Sequence, residues 1–240
     1  MSGNPMQDDP METVRDAVLD AALPDVPFDG WSEALFRRAV VEADVEPGVA
    51  RLAFPRGAMD MAVAFHRRGD REMLARLDTS EFREMGMTRK ITTAIRTRLE
   101  IAAPYEEVIR RSSAMFALPL YAPEGARLTW ETADRIWNAA GDSAQDYNWY
   151  TKRLTLSGVF SSTLLYWLGD TSEDKAQSWA FLDRRIGDVM RFEKFKASVK
   201  DNPLARLAMA GPNALLSRVR PPRRGGPEGL GIGLPGSSSG

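Results

Sequence analysis

Apolar residues recur along this chain at intervals of three and four, the period of helices with one buried face. Val14, Ala17, Val18 and Ala21 mark a first helix over about 11–22. Gly30 and Ser32 precede a second, over about 33–43, that turns Ala34, Leu35, Ala39 and Val40 inward. Pro47 suits a first helical position, so a short third helix is expected at about 47–54. RGAMDMAVAFHRRGD, residues 56–70, reads as a fourth helix closed by Gly69. Shorter helices near 71–77 and 88–103 follow, then one over about 105–117 ended by Pro119. The run Pro119–Pro123 interrupts the pattern. Thr129 then caps a helix through Ala140, with Trp130, Ala133 and Trp137 on one side and Gly141 as its stop. Ser143 opens a long helix to about Leu168. Ser172, followed by Glu173 and Asp174, opens the last, through about Val199, with Trp179, Leu182, Ile186 and Val189 as its buried stripe. There is no sustained period-two alternation and no hairpin signal. The fold class is all-α. One domain is expected over 10–197, with a helix-turn-helix-like part over about 11–68. A segment at 198–220 and a disordered Gly/Pro/Ser tail at 221–240 follow.

The long helix 143–168 is apolar on two sides. Tyr147, Tyr150, Leu154, Leu164, Leu165 and Leu168 are read as its core side, and Leu156, Phe160, Thr163 and Trp167 form a second stripe. Trp149 is out of place, because its helical neighbours Gln145, Asp146, Lys152 and Arg153 are all polar. The pattern therefore predicts an indole on a solvent-facing side. Small residues (Ser157, Gly158, Ser161, Ser162) allow either close helix packing or a cavity. Met115, Phe116, Leu156, Phe160, Leu164 and Phe181 are candidates to line such a cavity around a lipid tail.

Composition narrows the chemistry. Zero cysteines exclude disulfides, thiolate catalysis and zinc–sulfur sites. The single histidine, His66, stands beside Arg67 and Arg68 at an expected helix end and reads as a surface or capping residue. No Glu-x-x-His pair is present, so a bundle-type di-iron centre is not expected. GIGLPG at 231–236 matches a dinucleotide fingerprint in letters only, since no strand precedes it. No catalytic residue and no metal are assigned. The formal net charge of −1 is unevenly spread. Residues 1–30 hold seven acids against Arg15, and 200–240 hold six bases against Asp201 and Glu228. The acidic start argues against a signal or transit peptide and suggests a bacterial cytoplasmic protein at the inner membrane. Leu204, Leu207, Leu215 and Val219, flanked by Arg206 and Arg218, suit a membrane-contact helix that Pro212 would kink.

The helix-turn-helix-like part looks like the N-terminal module of TetR-type regulators. Its third helix offers Arg51 alone against Glu46, and 31–68 carries six Arg against five acids. That near-neutral module argues against nucleic acid as a partner, a ligand-responsive DNA-binding regulator being the alternative.

WNAAGDSAQDYNWYTKR, continued by LTLSGVFSSTLLYWLGDTSEDKAQSWAFLDRRI, resembles the Coq-nine family of ubiquinone-biosynthesis accessory proteins, and FPRGAMDMAVAFHRRGD is similar to it as well. The resemblance implies a TetR-like, commonly dimeric, non-enzymatic fold that binds lipids, including isoprenoid quinone intermediates, in an apolar cavity. It implies no cofactor beyond a bound lipid or isoprenoid quinone precursor. It further implies presentation of that lipid to the di-iron demethoxyubiquinone hydroxylase through a surface patch. Carried over, the patch is Asp146, Asn148, Trp149 and Tyr150, with Ile136 and Trp137 beside it. A C-terminal membrane-touching helix is also implied, its counterpart lying at about 198–219.

Overall fold

The computed structural model describes residues 10–142 and 147–200, with side chains at 147, 148 and 192–200 left aside. Among these residues the chain is helical without strands. The helices are α1 (Pro10–Ala22), α2 (Val26–Asp29), α3 (Glu33–Glu42), α4 (Pro47–Ala53), α5 (Ala58–Leu77), α6 (Ser80–Glu84), α7 (Met87–Ala102), α8 (Glu106–Phe116), α9 (Ala122–Ala139), α10 (Tyr147–Gly169) and α11 (Ala176–Lys200). α1 packs on α3, α4 and α5, forming the helix-turn-helix-like module. α5, α7, α8, α9, α10 and α11 build the larger body.

The caps behave as their chemistry dictates. The Ser32 hydroxyl accepts from Leu35 N at 3.1 Å and the Glu46 carboxylate from Val49 N at 2.9 Å, each supplying a partner to an orphan donor of the first turn. α9 ends at Gly141, whose φ of +87° suits a residue without Cβ. Gly141 N donates to Asn138 O and Asp142 N to Trp137 O, the paired bonds of a Schellman stop.

Several boundaries differ from expectation. α5 does not close at Gly69 but runs on to Leu77, because Gly69 faces an arginine: a Cβ there would lie 2.5 Å from Arg98 Cζ. α9 begins at Ala122, seven residues before Thr129, with Pro123 in its first turn. Thr129 is interior, its hydroxyl donating to Gly125 O at 3.0 Å. Ser172 precedes a 3-10 turn, Glu173–Lys175, to which its side chain gives no cap bond, before α11 begins at Ala176; its hydroxyl accepts from Gln177 N instead. α2 and α6 were not anticipated; Thr79 caps α6 by accepting from Phe82 N. Residues 143–146, where the long helix was to begin, and 201–240, which hold the expected tail and the contact residues Leu204, Arg206, Leu207, Leu215, Arg218 and Val219, lie outside the described residues.

α10 also corrects the choice of core face. Leu156, Phe160, Thr163 and Trp167 are the buried stripe, at 3% exposure or less, whereas Leu154 and Leu165 are 67% and 64% exposed. Burying a Leu or Phe side chain contributes about 2 kcal/mol, so the stripe turned into the body, where α10 packs on α9 and α11, dominates. On α11, Leu182 and Ile186 are buried and Trp179 and Val189 pack against the core, as expected. No helix among the described residues is long and apolar enough to cross a membrane.

Candidate functional site

A cavity of about 330 Å³ opens between α5, α7, α8, α9 and α10. Its apolar wall includes Phe65, Leu99, Ile109, Phe116, Phe160 and Leu164. Of the residues expected to line a cavity, Phe116, Phe160 and Leu164 do so. Met115 does not line it. Leu156 lies instead in a second hollow of about 370 Å³ between α7, α10 and α11, with Trp137, Ile186 and Met190. Phe181 stacks on Tyr166 (centroids 4.5 Å apart, planes at 10°) and lines neither. Helical spacing placed these three on apolar faces without saying which neighbour each face meets.

Two residues of the first cavity's lining, His66 and Arg98, belong to a buried polar cluster. Asp70 on α5 is completely buried and receives Arg98 Nε at 2.8 Å, Arg135 Nη1 at 2.6 Å and Thr132 Oγ1 at 2.9 Å. Burial alone would raise its pKa; Arg98 and Arg135, both hydrogen-bonded to it, hold it below the usual carboxylate value. Arg98 also donates to His66 O at 3.0 Å, which explains why Gly69 must lack a side chain. His66 is neither at a helix end nor a surface residue. It sits mid-helix, its side chain 18% exposed, with Nε2 2.8 Å from Thr132 Oγ1. Burial pushes its pKa down to about 4, with Asp70 pulling the other way and Arg98 and Arg135 opposing Asp70. The imidazole is therefore neutral near pH 7.

Sequence reading missed Asp70, Thr132, Arg98 and Arg135. One signal was available: Gly69-Asp70 interrupts a helical period, Phe65, Met73, Leu77, that otherwise continues through it. An ionised carboxylate saturated by two arginines and a threonine is an anchor and not a free base. Among the described residues no group of three His, Cys, Asp or Glu side chains is placed to hold a metal.

The Trp149 region departs from expectation in another way. Arg153 is not solvent-facing: its side chain is 1% exposed and pairs with Asp134 (2.5 Å) and Asp142 (3.2 Å), while Nη1 donates to Trp149 O. Trp149 is half-buried and lies over that guanidinium, 4.0 Å from Cζ to the ring centre. Trp130 and Tyr150 meet it edge-on at 5.9 and 4.8 Å. The polar neighbour was an internal counter-ion and not a solvated one. Of the patch residues, Ile136 is completely buried and cannot touch a partner. Trp137 is half-buried, its Nε1 donating to Lys152 O and its ring under Lys152 Nζ. Tyr150 is half-buried. The side chains of Asp146 and Asn148 lie outside those described. On α4, Arg51 is paired with Glu33 at 2.6 Å and stacks on Phe36, leaving the third helix of the module without a free described base.

Residues 122–193 match the COQ9 family model. The chain is 30% identical over 188 residues to the mitochondrial ubiquinone biosynthesis protein COQ9 of Xenopus tropicalis, covering 75% of this chain and 58% of that one. It is 29% identical over 198 residues to the COQ9 of Rattus norvegicus, covering 79% and 62%. The chain thus spans about three fifths of the length of these relatives. Among solved structures it is similar to a TetR transcriptional regulator from Nitrosomonas europaea ATCC 19718. The TM-score is 0.60 and the identity 20%, with 73% of this chain and 97% of that one covered, a likeness of fold alone. These relatives are named as mitochondrial, which points to mitochondria and overturns the placement in a bacterial cytoplasm. That placement rested on the acidity of residues 1–30, and the charge of a chain's first residues does not identify its compartment.

Proposed function

Over residues 122–193 this chain is a member of the COQ9 family, and on that premise we propose that it serves ubiquinone biosynthesis as a lipid-binding, non-catalytic accessory protein. The observation that carries the reading is the cavity between α5, α7, α8, α9 and α10. Its lining is mostly apolar and includes the polar side chains of His66 and Arg98, the composition of a site for an amphipathic ligand. An isoprenoid quinone precursor has that polarity: ring toward His66 and Arg98, tail toward Phe116 and Ala117 and the exposed Leu118 and Leu120 that follow them.

Delivery involves two surfaces. Trp137, Trp149 and Tyr150 remain partly accessible and form the face offered to the di-iron demethoxyubiquinone hydroxylase. Membrane contact is assigned in this reading to the segment 198–220, of which 201–220 lies outside the described residues. A second copy of the chain covers the outer side of α10. There Leu154 and Leu165 stand three turns apart on one face with open space above Gly158 between them, so a neighbouring helix can approach closely. Nucleic acid is not a ligand in this reading, since Arg51 is already paired.

The test is native mass spectrometry with lipid extraction on gently purified protein. A co-purifying isoprenoid quinone or precursor is the expected result. Protein that is empty, and stays empty after incubation with quinone-loaded vesicles, removes the carrier reading and leaves docking as the surviving role.

A further inference from the structure

Donors and acceptors of the polar cluster at the cavity can be counted, and the count concerns what the ligand's head must carry. Thr132 Oγ1 has four polar neighbours: Asp70 Oδ2 at 2.9 Å, Asp70 Oδ1 at 3.1 Å, Leu128 O at 3.2 Å and His66 Nε2 at 2.8 Å. The first three are acceptors only, because the two arginines keep Asp70 ionised. A threonine hydroxyl has one proton, which goes to Asp70. His66 Nε2 must then be the donor to Thr132. A neutral imidazole protonated at Nε2 carries a lone pair at Nδ1. That nitrogen has no partner among the described residues, no buried side-chain nitrogen or oxygen among them is unsatisfied, and His66 lines the cavity.

The other polar groups of the lining do not discriminate. Arg98 gives Nε to Asp70 and Nη2 to His66 O, and its remaining N–H groups are donors that a phenol oxygen accepts as well as a carbonyl or ether oxygen does. The Ser112 hydroxyl accepts from Trp31 Nε1 at 2.8 Å and donates to Val108 O at 2.9 Å. Thr129 donates to Gly125 O. The Ser113 and Ser161 hydroxyls rotate to suit either kind of ligand atom. A fixed acceptor is left at His66, held in its tautomer by the Thr132–Asp70 relay.

We infer that His66 selects a ligand bearing a hydrogen-bond donor on its ring, so that the cavity takes the hydroxyl-bearing (phenol or hydroquinone) form of an amphipathic lipid in preference to a form that only accepts, such as a quinone or an aryl ether. The inference rests on the carrier reading above and deepens it. His66 is a specificity-determining residue and takes no part in bond making.

The test uses the full chain and two probes, para-dodecylphenol and its methyl ether, in equilibrium dialysis against wild type, His66→Phe and His66→Gln, with each variant's thermal melt recorded. One neutral hydrogen bond corresponds to roughly a tenfold preference for the phenol. His66→Phe fills the same space without the lone pair, so the preference falls toward one while ether binding is kept. His66→Gln offers one donor to Thr132 and one acceptor to the cavity, so much of the preference returns. A wild-type ratio near one, or a ratio unchanged in His66→Phe, overturns the inference while ether binding leaves the carrier reading standing. Binding of neither probe overturns both. Should His66→Phe fail to fold, the wild-type ratio and the Gln variant still decide the matter.

Discussion

The guanidinium of Arg153 lies beneath the ring of Trp149, Cζ to centroid 4.0 Å, on an arginine whose side chain is 1% exposed and whose other partners are Asp134 and Asp142. The indole covers a buried ion pair and at the same time forms part of the outer surface. Removing it therefore acts on the fold before it acts on any partner.

Trp149→Ala is expected to lower stability by about 2 kcal/mol, from the lost stacking on Arg153 and the lost edge contacts with Trp130 and Tyr150. Leu154→Lys, at a side chain 67% exposed, should stay within about 0.5 kcal/mol of wild type while weakening self-association through α10. Denaturant melts beside sedimentation on both variants check this. A Trp149 variant as stable as wild type would contradict the packing described.

Gly69→Ala should destabilise the protein by about 1–3 kcal/mol, although alanine is the better helix former by about 1 kcal/mol. The added methyl would meet an Arg98 that Asp70 and His66 O hold in place. Gly158→Ala, with open space around it, should be neutral or stabilising in the isolated chain. Thermal melts of the two variants give the comparison.

His66 is held to a folded pKa of about 4 against 6.5 when unfolded. The unfolded chain binds this proton first, so stability from the neutral imidazole is complete above about pH 6.5. It is lost as pH falls toward about 4, by up to ~3 kcal/mol. His66→Gln should flatten the pH dependence over that interval in urea titrations. An equally steep variant would assign the loss to other groups.

Capping supplies a fourth expectation. Ser32→Ala removes the acceptor for Leu35 N and should cost about 1 kcal/mol. Thr129→Ala, inside α9, removes only a bond to Gly125 O and should change stability by less than about 0.5 kcal/mol. Chemical denaturation of both separates a true cap from a residue that resembles one.

Much of this was legible in residue order. The helices at 10–22, 33–42, 47–53, 87–102 and 106–116 fall within one or two residues of their expected bounds, because caps, prolines and three-to-four spacing act over a single turn. Phe116, Phe160 and Leu164 were likewise found as cavity residues. The errors share a different origin. Gly69 looked like a helix end because Arg98, 29 positions away, could not be seen against it. His66 looked like a surface residue because Thr132 and Asp70 meet it only after α5 packs on α9.

The sequence by itself determined where most helices run and that the fold is all-α, since periodicity and capping belong to one helix at a time, and its motifs over about 128–195 carried the family resemblance. Only the tertiary structure decided which stripe of α10 faces the core, that Ile136 is interior, and that Asp70 is buried among Arg98, Arg135, Thr132 and His66. A charge is stable inside a protein only when its partners arrive with it. Those of Asp70 come from α5, α7 and α9, so packing and not pattern placed the polar cluster at the cavity.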